Sequence, residues 1–116
     1  MRSLRGKIIT INSVEFLTLE AYTNLRKCGE YVLLAVCDEE LLGKTLRHGK
    51  LVFKVKEEFY KGPKMPVADA IELMKESSIV NMVGANIVSK AIKEGLVHPE
   101  AVLEISGVPH AQIVKM

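Results

Sequence analysis

The sequence predicts an α+β fold, a mainly antiparallel sheet packed against a pair of helices in a single domain, and three observations carry that reading. First, β-rich segments open the chain, two stretches with helical apolar spacing follow, and β-rich segments return at the end. Segregation of this kind favours α+β over the alternating pattern of a parallel α/β fold. Second, Tyr31-Val32-Leu33-Leu34-Ala35-Val36 is apolar on both faces, as expected of a central strand covered on both sides. Third, 116 residues with 48% hydrophobic content form one domain able to bury roughly 65% of its unfolded surface. With three Tyr, three Phe and no Trp, the core is aliphatic.

Residues 1–18 read as an N-terminal, strand-forming extension, with Lys7 to Ile11 and Val14 to Leu19 as its apolar runs, and residues 19–116 as the domain. The basic start of the chain faintly imitates a signal peptide. Asn12 and Glu15 cut its apolar stretch and no convincing cleavage site follows, so the expected location is the cytoplasm. No run approaches the ~20 apolar residues needed to cross a bilayer.

Leu19 to Lys27 and Glu30 to Cys37 flank Cys28-Gly29, which predicts a hairpin. The same hairpin separates Cys28 from Cys37 by roughly 30 Å of strand. That distance rules out a bridge between them, because a disulfide needs Cα atoms within about 7 Å. Cys37 reads as a small buried apolar residue. From Cys37 to Lys44, Asp38 is expected to cap a short turn carrying Glu39 and Glu40, with Gly43 ending it.

Leu51, Phe53 and Val55 alternate with Val52, Lys54 and Lys56, the period of a strand with one wet face. Phe59 to Lys64, with Gly62-Pro63, reads as a loop. Pro66 suits a helix start, and Val67, Ala70, Ile71 and Met74 supply its apolar stripe. A second helix is expected from Ile79 or Val80 to Glu94, striped by Val80, Val83, Gly84, Ile87, Val88 and Ala91. Gly84 inside it would permit a close approach by a neighbour. Val102 to Ile105 and Ala111 to Val114 complete the elements, joined by a Gly107 to Gln112 turn that offers an imidazole and a carboxamide.

The net charge of +2 conceals an asymmetry. Between Lys44 and Lys64 stand seven cations against two anions, +5 in 21 residues, which leaves −3 for the rest. A positive patch of Lys44, Arg47, Lys50, Lys54, Lys56 and Lys61, with Phe59 or Tyr60 for base stacking, suits RNA or a ribonucleoprotein. The plainer reading is a solvated edge whose lysines prevent strand-to-strand aggregation.

A second constellation is Asp38, Glu39, Tyr60, Lys61, Asn81, His110 and Gln112, polar groups near turns and element ends. Converged, they would make a ligand pocket or a small active site around His110. Three dispersed His and two dispersed Cys match no zinc spacing, the adjacent acids make a weak cation site, and no nucleotide-binding glycine fingerprint is present. No catalytic residue, metal or cofactor is therefore assigned.

Four blocks taken in order, Cys37-Asp38-Glu39-Glu40-Leu41-Leu42-Gly43-Lys44, Phe59-Tyr60-Lys61-Gly62, Asn81-Met82-Val83-Gly84 and Gly107-Val108-Pro109-His110-Ala111-Gln112, resemble an uncharacterised archaeal family, domain of unknown function four-two-four. The resemblance runs from about Leu19 to Met116 and implies a small cytosolic archaeal protein, with no activity or ligand to carry over. Charge favours a non-catalytic RNA- or ribonucleoprotein-binding module linked to translation. The alternatives are an enzyme or ligand-binding protein using the His110 pocket, and a protein-interaction subunit that forms a homo-oligomer through residues 1–18.

Overall fold

The computed structural model describes residues 19–115; the 1–18 extension and its expected strands lie outside them. Strand β1 (Glu20–Cys28) turns into β2 (Tyr31–Asp38) as the β-rich composition requires. Cys28 pairs with Tyr31, so the turn is Gly29-Glu30 and not Cys28-Gly29. The shift follows from backbone sterics: Gly29 adopts φ +64°, and a two-residue hairpin places its glycine first when only that position is left-handed.

A 3-10 turn (Glu39–Leu41) leads to a small separate hairpin of β3 (Thr45–His48) and β4 (Leu51–Lys54). A single helical turn, α1 (Glu57–Tyr60), precedes the edge strand β5 (Lys64–Pro66), so the expected Phe59–Lys64 loop is shorter than its residues suggest. Gly62 passes directly over β1: a Cβ built on it would stand 2.0 Å from the Thr23 carbonyl oxygen. Thr23, itself buried, donates from both its amide and its hydroxyl to the Pro63 carbonyl, at 3.0 and 2.9 Å. That contact lets the Gly62-Pro63 segment cross the sheet edge.

Helix α2 (Val67–Lys75) buries Val67, Ala70, Ile71 and Met74, the stripe read from the sequence. The expected long second helix is instead strand β6 (Ile79–Val83), then helix α3 (Ala85–Lys93). Ile79, Val80 and Val83 are β-branched and favour a strand. Gly84 ends that strand at φ +127°, a conformation no helix interior tolerates. A 3-10 turn (Pro99–Ala101), β7 (Leu103–Ile105) and β8 (Val108–Val114) follow. The turn between the last two is only Ser106-Gly107, both with positive φ. Pro109, His110 and Gln112 therefore stand on β8, not in a turn.

The main sheet has the order β5-β1-β2-β6-β8-β7, antiparallel throughout except for the parallel β2–β6 junction. The fold is α+β, a mostly antiparallel sheet with two longer helices on one face. Beneath α2 and α3, that face buries Leu34, Val36, Val80 and Met82, against which Ile87 and Val88 of α3 pack. The opposite face carries a second cluster of Ala35, Cys37, Leu41, Leu46, Val55, Tyr60, Val83 and Ile105. Successive β2 side chains thus feed two cores, which is why that strand has no polar face.

Candidate functional site

The second face of the sheet is incompletely roofed. Side chains alternate along a strand, so the paired registers place Asn81 of β6 beside Gln112 of β8, with His110 beside Val83 one step along the same face. Over this floor stand Phe53 and Lys54 of β4, Lys56, and Phe59 and Tyr60 of α1. Together they line an open cleft of about 440 Å³, within the 300–1,000 Å³ span usual for small-molecule pockets.

The roof is hung from the sheet by two polar side chains that sequence reasoning missed. Asn24 Nδ2 donates to the Phe59 carbonyl at 3.1 Å, and the Arg26 guanidinium donates to the Glu58 carbonyl while lying 5.1 Å from the Phe59 ring centroid. These bonds satisfy carbonyls at the end of α1 that have no intrahelical partner. The signal was present: Tyr22, Asn24 and Arg26 share one face of a strand whose alternate residues Ala21 and Thr23 are buried on the other.

Inside the cleft, Gln112 Nε2 donates to Asn81 Oδ1. This leaves Asn81 Nδ2 as a donor and Gln112 Oε1 as an acceptor without another partner among the described residues. The His110 ring meets Phe53 edge-on, with centroids 5.1 Å apart and planes at 65°. Burial holds its imidazole below the usual histidine range, so it is neutral at physiological pH. Lys54 and Lys56 are the charged groups in the lining, and no carboxylate joins them.

The two predicted constellations therefore overlap in one place. From the polar set, Tyr60, Asn81, His110 and Gln112 converge. Lys61 is exposed and does not line the cleft. Glu39 is held outside by Lys64, whose Nζ lies 2.7 Å from its carboxylate. Asp38 is fully buried and serves the fold elsewhere. Its carboxylate accepts from the amides of Asn86 at 2.8 Å and Ile87 at 2.9 Å, capping α3 from another strand. It makes no side-chain cap to the Glu39–Leu41 turn that follows it.

From the basic set, Lys54, Lys56 and Tyr60 reach the cleft, whereas Lys44, Arg47 and Lys50 are exposed and do not line it. Strand β4 ends at Lys54, so Lys56 shares the cleft with it and not a strand face. None of Lys44, Arg47, Lys50, Lys54, Lys56 or Lys61 has an acidic partner among the described residues. Tyr60 does not offer a stacking face as expected. It is 3% exposed, its ring packs edge-on against Phe59 at 4.9 Å, and burial pushes its hydroxyl up to about 12. Half-buried Phe53 and Phe59 are the aromatics available to a ligand. Cys37 is buried beside the floor with its thiol pushed up to about 12, chiefly by desolvation, which leaves no thiolate for nucleophilic attack.

A mixed sheet with helices on one face and a lysine-edged aromatic cleft on the other defines a small α+β domain that carries its site on the sheet. Within that class, the chain matches the model of the family described as Protein of unknown function (DUF424) over residues 25–116, and it belongs to that family. It is similar to an uncharacterized conserved protein from Methanopyrus kandleri, whose crystal structure aligns with a TM-score of 0.69 and 28% identity over 84% of this chain and 94% of that one. No curated protein matches it. Among the described residues, no helix is long and apolar enough to cross a membrane and no cluster of His, Cys, Asp or Glu is arranged to hold a metal ion.

Proposed function

We propose that this protein is a non-catalytic RNA-binding module whose contact surface is the cleft together with the β3–β4 hairpin beside it. The observation that carries the reading is the pairing of Lys54 and Lys56, without a carboxylate, with the aromatic and amide lining of one cleft. Lysines at that position attract phosphate and release its counterions. Arg47, Lys50 and Lys44, exposed on or beside the adjoining hairpin, extend the positive surface along a backbone longer than one nucleotide.

The lining also favours binding over acid–base chemistry. His110 has a phenyl ring for its neighbour, and neither a carboxylate nor a serine, threonine or cysteine stands among the lining residues. An imidazole working as a general base needs a partner to orient it and a group to deprotonate.

The test is RNA binding by fluorescence anisotropy as salt is raised. Affinity is expected to fall linearly in logarithmic terms, and K54E/K56E to weaken binding at least tenfold while lowering the salt slope. Absence of RNA binding at low salt would overturn the proposal.

A further inference from the structure

The floor of the cleft adds information that a cationic patch alone does not contain. Resting on the RNA-binding reading above, we infer that the cleft receives the base of an unpaired nucleotide, and that the Asn81–Gln112 pair reads the edge of that base without selecting among the four. Phosphate recognition needs only the lysines. Nothing about it calls for two carboxamides hydrogen-bonded to each other on the solvent-accessible floor of a cleft that Phe53 and Phe59 also line.

The chemistry of that pair is specific. Two carboxamides carry two acceptor oxygens and two NH₂ groups. The bond from Gln112 Nε2 to Asn81 Oδ1 ties the two carboxamides together and leaves Asn81 Nδ2 as a donor and Gln112 Oε1 as an acceptor with no partner among the described residues. Reversing both amides leaves the same two functions in the opposite order. Every nucleobase presents an adjacent donor and acceptor on its pairing edge: the exocyclic amine and ring nitrogen of adenine and cytosine, the ring NH and carbonyl of guanine and uracil. The pair is therefore complementary to any base, in one orientation or the other.

In a duplex those edges are already paired with the complementary base and are out of reach of any side chain. The aromatic rings of Phe53 and Phe59 supply a surface for the base plane, an interaction that tolerates every base. Lys54 and Lys56 stand in the same lining, within reach of the phosphate attached to a seated base.

Binding is measured with a short single-stranded RNA, the same strand annealed to its complement, a matched strand with abasic residues, and adenosine and uridine monophosphates as competitors. The intact single strand is expected to bind roughly tenfold more tightly than the duplex or the abasic strand, the difference one stacked base supplies. Affinity for strands of different base composition should agree within a few-fold. N81L/Q112L, which keeps both rings, should reduce the preference for the intact strand several-fold and leave duplex binding unchanged, whereas K54E/K56E should weaken both.

Equal binding of intact and abasic strands overturns the inference without requiring any variant, and leaves the RNA-binding reading standing. Equal binding of strand and duplex does the same. A mononucleotide that competes at the oligomer's own affinity overturns the RNA source in favour of a free nucleotide, and failure of every RNA to bind removes the reading on which the inference rests.

Discussion

Asp38 and Gly84 interlock: a Cβ built on Gly84 would stand 2.3 Å from the Asp38 carboxyl carbon. The glycine opens the space through which a side chain from the end of β2 reaches the first amides of α3. G84A meets two penalties, a Cβ inside an occupied volume and an L residue at φ +127°. Its expected cost is about 2–4 kcal/mol, read as a lower midpoint in urea unfolding.

Asp38 gives that unfolding a pH signature. Burial pushes its carboxyl up to about 6, above an ordinary 3.8, while the bonds from Asn86 and Ile87 oppose the rise. The folded chain thus holds this proton more tightly than the unfolded one. The resulting stabilisation is fully present below pH about 3.8 and is lost as pH rises to about 6, a change on the order of 2–3 kcal/mol. Burial of His110 acts in the opposite sense, adding stability above the unfolded histidine value and losing it as pH falls. Subtracting the stability of D38N from that of the parent cancels the histidine. The parent's stability relative to D38N should decline as pH rises from 4 to 6, and a flat difference would contradict the assignment.

The roof of the cleft depends on β1. N24A/R26A removes the donors to the Glu58 and Phe59 carbonyls and is expected to cost about 1–2 kcal/mol. It should also weaken RNA binding several-fold with an unchanged far-ultraviolet circular dichroism spectrum, because the aromatic wall moves and the sheet does not. Unaltered binding would place Phe59 outside the contact surface.

The two thiols separate cleanly by exposure. Cys28 is exposed at the end of β1, and Cys37 is buried with its thiol pushed up to about 12. A thiol reagent should titrate one cysteine in the native protein and two in denaturant. Rapid native reaction of both would contradict the second core cluster.

The strands are legible in the sequence where side-chain pattern and backbone preference agree. The doubly apolar run from Tyr31 to Val36 is the strand shared by two cores. Between Ile79 and Lys93 the two signals conflict. The spacing of Val80, Val83, Ile87, Val88 and Ala91 is helical, yet it spans a strand and a helix, and Val83 turns to the opposite face from the other four. The decisive residue is Gly84, whose positive φ and close contact with the distant Asp38 are invisible to periodicity.

Four of the seven polar residues converge, three of them because Asn81, His110 and Gln112 belong to adjacent strands whose β6–β8 register sets them on one face. Asp38, Glu39 and Lys61 have the same surface appearance in the sequence. Their partners, the amides of α3, Lys64 and solvent, lie at distances along the chain that no local reading spans. Phe53 alternates as a core residue does. A core residue bordering an open space looks the same in sequence.

The parallel β2–β6 junction has a consequence for measurement. It joins residues more than forty positions apart, and the segment looped out between them supplies the entire roof of the cleft. Floor and roof coexist only when that long loop is closed, so a molecule bound in the cleft recognises the folded chain and not the unfolded one. Anything that binds only the folded state raises the unfolding free energy by RT ln(1 + [L]/Kd). The melting temperature of this protein is therefore itself a detector, able to rank RNAs, nucleotides or compounds of other chemistry before any of them is labelled.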